Sequence, residues 1–177
     1  MLRPGSSFDV GKGLAEQPKL RFAVGTFDTW QQLRKTLLDL CLRGLALDSF
    51  NCLALQRVFA GKTIIAPSQE HLSIQQLAFP DNPELIGCTS GPLADCLAER
   101  LRSGAPRLTD ALGLWLMPRH AAHFQQAVEA GKILLWIRLT DADDERRAYQ
   151  SLLANSSSSV GVHDLVVPRA PNNEISG

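Results

Sequence analysis

His120 and His123 stand three residues apart in the run Arg119-His-Ala-Ala-His123. On a helix that spacing puts both imidazoles on one face, an arrangement from which two histidines can share a metal ion. A metal needs more ligands, and the nearest downstream acid, Glu129, lacks matching spacing. The pair therefore reads as a surface or interfacial one, with His120 and His123 kept as the only metal candidates and no cofactor expected. Cys96-Leu-Ala-Glu-Arg-Leu-Arg102 has the Cys-x5-Arg spacing of phosphatase loops. That chemistry needs a loop of backbone N–H groups around phosphate, and this stretch has no glycine and reads as helix. Gly87-Cys-Thr-Ser-Gly91 has the outline of a nucleophile elbow but not the Gly-x-Ser-x-Gly order, so Thr89 or Ser90 reads as a helix cap. Gly11-Lys12-Gly13 is too short for a phosphate loop and follows no strand. His163 and Asp164 fall in one strand, where neighbours point to opposite faces, so they do not form a base pair by themselves. Cys88 and His163 remain as the residues of an unrecognised site, should they converge. No catalytic residue is assigned, and the expectation is a protein that is not an enzyme.

The elements around these residues fall into two similar units. Leu20, Phe22 and Val24 alternate with Arg21, Ala23 and Gly25 as in a strand. Asp28 or Thr29 offers a cap, Trp30, Leu33, Leu37, Leu40 and Cys41 form a helical stripe, and Gly44 ends it. Phe50 to Leu55 is the second strand. The later unit has Ile133 to Leu139 as a strand, apolar enough to be buried on both faces. Thr140-Asp141 is its cap, Glu145 to Leu153 its helix, and Val160 to Val166 its last strand. Asp28 matches Asp141, Gly44 matches Ser157 and Phe50 matches His163 at one common offset. Two such units imply an α+β protein with a ferredoxin-like four-stranded antiparallel sheet, both helices on one face.

An inserted arm and helical segment separates the units. Thr63 to Ala66 and Leu72 to Phe79 are strand-like among prolines and predict an extended arm or hairpin. Leu93, Leu97 and Leu101 mark a helix. Leu108, Leu112, Trp115 and Leu116 form a further stripe that needs an apolar partner, and Pro118 opens a last helix closed by Gly131. If the sheet does not cover that stripe, a second chain must, which makes Leu108, Leu112, Trp115 and Leu116 the interface candidates. The expected organisation is a flexible lead over 1–18, a sheet domain over 19–56 plus 132–167, the insertion over 57–131 and a flexible tail over 168–177.

Composition bounds the rest. With 177 residues, 45% of them hydrophobic, the chain can build one core. Eighteen basic and eighteen acidic residues cancel, which argues against nucleic acid and anionic lipid and gives copies little mutual repulsion. Phe22 and Trp136 as RNA-stacking residues would want basic flanks that this balance lacks. No apolar run nears the ~20 residues of a membrane span. No secretory pattern opens the chain, and the four cysteines (Cys41, Cys52, Cys88, Cys96) show no C-x-x-C pairing. They read as reduced thiols of a cytoplasmic protein.

Phe22-Ala-Val-Gly-Thr-Phe-Asp-Thr29, the helix and Gly44, then Gly131-Lys-Ile-Leu-Leu-Trp136, Glu145-Arg-Arg-Ala148 and Val162-His-Asp-Leu165 resemble the bacterial general stress protein, or heat-induced stress protein, type of domain. The likeness covers residues 20–55 and 118–167. It implies repeated β-α-β units around an inserted helical segment and an association with stress, and it supplies no catalytic residues. Relatives often carry a glycine-rich helical hairpin in the middle, whereas Leu93 to Met117 here has a proline, charges and few glycines. The expected function is a non-enzymatic regulatory or interaction protein acting as a homodimer, with an unknown protein partner. The alternative is a small-ligand or metal-sensing domain with a cleft between sheet and inserted helices, where His120, His123 and His163 are the ligands on offer.

Overall fold

A computed structural model describes residues 19–62, 73–156 and 158–166. The expectations for 1–18, Gly11-Lys12-Gly13, Thr63 to Ala66, Ser157 and 168–177 lie outside the described residues. The strands are β1 (Lys19–Phe27), β2 (Phe50–Leu55), β3 (Ile74–Leu77), β4 (Ile86–Thr89), β5 (Ile133–Leu139) and β6 (Ser158–Val166). The helices are α1 (Trp30–Leu42), α2 (Gln56–Phe59), α3 (Pro92–Arg102), α4 (Leu108–Leu112), α5 (Pro118–Glu129) and α6 (Ala142–Asn155).

Local chemistry sets the helix ends. The Thr29 hydroxyl accepts from the Gln32 N–H at 3.2 Å, and the Asp141 carboxylate accepts from the Asp144 N–H at 2.7 Å. Each cap satisfies a donor that the helix itself leaves free. Asp143, Asp144 and Glu145 then sit in the first turn of α6, where the helix dipole favours negative charge. Gly44 leaves α1 with φ of 91°, and the Leu45 N–H reaches back to the Leu40 carbonyl at 3.1 Å. Only glycine takes that left-handed position without a Cβ clash.

All six strands join one antiparallel sheet in the order β3-β4-β2-β5-β1-β6. The two repeated units therefore share a single sheet, with β5 between β2 and β1. Alternation divides β5 cleanly. Ile133, Leu135, Ile137 and Leu139 face α1 and α6, together with Leu33, Leu40 and Leu152. Leu134 and Trp136 face the opposite way, toward Leu93, Leu97, Leu108 and Phe124 of α3, α4 and α5. Both faces of the sheet are dry, as the apolar run in β5 requires.

The insertion differs from expectation in two respects. Of the arm or hairpin expected it forms the hairpin and not a free-standing arm: β3 and β4 pair antiparallel and extend the sheet beyond β2, with Leu53 opposite Cys88. Ile86–Thr89 is four residues long and broken by Gly87, too short for periodicity to declare it. Thr89 is not a cap either. Its hydroxyl accepts from the Cys52 N–H at 2.8 Å across the sheet, and α3 starts after Gly91 with Pro92 in its first turn and no side-chain cap. The helical part forms the three helices α3, α4 and α5 at the three helical stretches read from the sequence.

The stripe expected to need a second chain is covered by the chain itself. Leu108 and Leu112 are fully buried and Leu116 nearly so, all within the core between the sheet and α3–α5. Trp115 is partly buried, with the Arg100 guanidinium 5.5 Å from its ring centre. Leu108, Leu112, Trp115 and Leu116 are thus corrected from interface to core and core margin, because the sheet supplies the partner that the sequence left open.

Gly25 marks a close approach of sheet and helix. A Cβ there would lie 2.7 Å from Leu152 Cδ2 and 3.3 Å from Ser156 Cβ. Gly25→Val is expected to destabilise the fold by about 1–3 kcal/mol through overpacking. Urea unfolding of Gly25→Val, Leu152→Ala and the double variant checks this, with the pair losing less than the two single losses added.

Candidate functional site

His163 projects from β6 onto the face covered by α5. Its neighbours on that face follow from the register, since Phe22 of β1 lies opposite it and both belong to the α5 side. Helix α5 brings His120 and Phe124, one turn apart, above this end of the sheet. The His120 and His163 ring centres are 5.4 Å apart, and Phe124 lies 5.7 Å from His163 and 5.4 Å from Trp136. Phe22 meets Trp136 edge-on at 6.0 Å. The result is an aromatic nest with two imidazoles at its outer end. Within it the Trp136 indole N–H is buried with no hydrogen-bond acceptor.

Gly161 makes room for one of those imidazoles. A Cβ at Gly161 would stand 3.1 Å from His163 Nε2, so the ring lies over the glycine on its own strand. Burial pushes the His163 imidazole below its usual pKa, the nearby His120 ring adds to this, and Asp164 acts the other way. Asp164 itself points to the opposite face, where its carboxylate accepts from Arg21 at 3.2 Å. The same guanidinium donates to Glu145 of α6 at 2.9 Å.

The other candidates lie apart. His123 is exposed and tilts against Phe124 at 5.9 Å. His120 and His123, offered as a pair from their spacing, are thus divided: His120 turns to His163 and His123 to solvent. Cys88 sits on β4, four strand spacings from β6, about 19 Å at 4.8 Å per spacing. Burial pushes the Cys52 thiol up to about 12 and raises that of Cys88 further. Both are poor nucleophiles, because the thiolate is the reactive form. Cys96 and Arg102 lie on helix α3, with no loop to cradle phosphate. Among the described residues, no group of three or more His, Cys, Asp or Glu could hold a metal. No helix among them is long and apolar enough to cross a membrane.

The space between the sheet and α3–α5, expected as a ligand cleft, is filled by Leu93, Leu97, Leu108, Phe124 and Trp136. A cleft of about 640 Å³ opens instead at the start of α1, lined by Trp30, Arg57, Lys62 and Gly131 among others. The Lys62 ammonium lies 5.4 Å from the Trp30 ring centre, and Arg57 Nε donates to Glu84 at 2.8 Å. Sequence patterns missed both this cleft and the meeting of His120 with His163, which depends on how α5 crosses the sheet. The one signal available was the i, i+4 spacing of His120 and Phe124.

Two outcomes follow from these environments. The unfolded chain takes up a proton at His163 near pH 6.5, before the folded chain does, so stability falls as pH drops below that value. Thermal melting from pH 7.5 to 5.5 is expected to show this decline, and His163→Phe is expected to flatten it. A disulfide reagent is expected to label Cys41, the one partly exposed thiol, well ahead of Cys52, Cys88 and Cys96, with all four reacting in denaturant.

Comparison of the chain with family models, with curated proteins and with solved structures gives no match, so the chemistry of the site is read from its own residues.

Proposed function

We propose that this chain is a non-enzymatic interaction protein that works as a homodimer, with β6 of one copy paired to β6 of another. The observation that carries this reading is the free edge of β6. Among the described residues β6 pairs with β1 alone, so the N–H and C=O groups that alternate residues of this nine-residue strand turn away from β1 are open to another strand. Such an edge templates another strand unless lysine, proline, a β-bulge or a cover blunts it; the register of β6 on β1 shifts between Gly161 and Ser158 and runs regularly over Gly161–Val166. β6 contains neither lysine nor proline, and its one charge, Asp164, is neutralised by Arg21.

The flank of the edge is apolar. Glu145 of α6 reaches Arg21, which also holds Asp164 of β6, so this side of α6 looks toward the edge. Tyr149 lies one turn further along that side and is 38% exposed, and Leu153 follows at 60%. Val160 and Val162 of β6 face the same layer and are only partly buried. An added strand would cover all four. A second copy fits best, because antiparallel pairing of a strand with itself is self-complementary and a chain of zero net charge does not repel its twin.

Within this reading, β2-β5-β1-β6 with α1 and α6 forms a ferredoxin-like unit, and β3, β4 and α3–α5 are additions that close its far edge and second face. The resemblance to stress-protein domains supports an association with stress, and four free cysteines support a cytoplasmic setting for the pair.

Light scattering on a sizing column is expected to give a dimer at micromolar concentration. Val162→Lys would set two ammonium groups at the two-fold and is expected to raise Kd at least tenfold, about 1.4 kcal/mol, without lowering the melting temperature of the monomer. A wild-type chain that stays monomeric overturns the reading.

A further inference from the structure

We infer that His120 and His163 are half of a transition-metal site, completed by the same two residues of a second copy across the β6 edge. The inference rests on the edge-pairing reading above and adds a ligand to it. Its first support is the spacing of the rings. A metal bound at about 2.0–2.1 Å from an imidazole nitrogen lies about 3.2 Å from that ring's centre, so two rings at a tetrahedral angle have centres about 5.2 Å apart. The His120 and His163 centres are 5.4 Å apart. The two side chains come from a helix and a strand, and the aromatic nest beneath holds both elements in place.

The second support is what the single chain lacks. Among the described residues no third ligand joins these two histidines, and two imidazoles alone leave a tetrahedral ion half-filled. The geometry of the edge supplies the remainder. Pairing β6 with its copy end to end, Ser158 against Val166, would put Val162 on the two-fold axis, with the irregular stretch 158–161 of each copy beside 163–166 of the other. His163 then stands across from the second copy's Gly161. The two His163 residues become diagonal neighbours about 7–8 Å apart, within mutual reach for long side chains. A two-fold normal to a sheet keeps each face on its own side, so both histidine pairs lie on the α5 face. Within each chain the His163 ring leans over Gly161 of its own strand, where any side chain would crowd it. Four imidazoles suit zinc, nickel or copper in the divalent state rather than magnesium or calcium.

The test uses the full, untagged chain with zinc chloride alone, followed by calorimetry and light scattering. The expected result is one zinc ion per two chains and a dimer that forms at tenfold or more lower concentration with zinc. His120→Ala and His163→Ala should each lose zinc uptake and its effect on dimerisation, while His123→Ala keeps both. Should His163→Ala fail to fold, His163→Gln with His120→Gln carries the comparison. A dimer that is weakened by Val162→Lys but takes up no zinc overturns the metal site and leaves edge pairing standing. One zinc per chain, or uptake retained in His120→Ala, overturns the shared site. A dimer indifferent to Val162→Lys overturns edge pairing and this inference with it.

Discussion

Burial of β5 on both faces organises the rest of the molecule. Its residues alternate between two separate apolar layers, and Trp136, the largest of them, is fully buried between β1 and β2. A strand dry on both sides cannot be served by helices on one face alone. The repeated units supply α1 and α6 for one face and nothing for the other. The inserted segment therefore has a structural task before any functional one: α3, α4 and α5 must cover Leu134, Trp136, Phe22 and Leu53. Their own stripe, Leu108, Leu112 and Leu116, is used up in doing so.

That division explains what could be read from the residues and what could not. The strand alternation of β1, the caps at Thr29 and Asp141, the stop at Gly44 and the apolar run of β5 are local patterns, and local patterns act through neighbours in sequence. One shared sheet for both units followed from their layout. Where the stripe of residues 108–116 would dock was a question about partners far away in sequence, and a hydrophobic stripe does not name its partner. β4 escaped notice because four residues interrupted by Gly87 carry almost no periodic signal. The glycine is there because Phe59 comes within 2.7 Å of where its Cβ would be. The site was legible only as a set of histidines. Spacing suggested His120 with His123, whereas the fold joined His120 to His163 through the crossing of α5 over the sheet.

The two edges of the sheet are treated differently. Beyond β2, where a four-stranded sheet would end, β4 and β3 continue the ladder, and β3 closes it as a strand of only four residues. A short terminal strand is a poor template for further pairing. Beyond β1 lies β6, nine residues long and flanked by exposed Tyr149 and Leu153. Among the described residues the insertion blunts one edge, and the other stays long and bordered by apolar side chains. Aggregation is the ordinary hazard of such an edge, and symmetric pairing is the arrangement that removes it by consuming the edge in a closed dimer.

The residues at that edge also depart from what packing alone would select. A leucine or phenylalanine at position 163 would fill the space above Phe22 and beside Phe124 without any cost of desolvating an imidazole. With no imidazole at 163, a larger residue at 161 would have room that the His163 ring now takes. Instead an imidazole whose charged form is disfavoured lies over a glycine, with a second imidazole against it. Positions where local choices work against the fold are those where structure gives way to function. In the proposed dimer, two imidazoles at the margin of a strand edge that no other described strand covers are of use to a metal or to a second copy of the chain, and the core gains nothing from them.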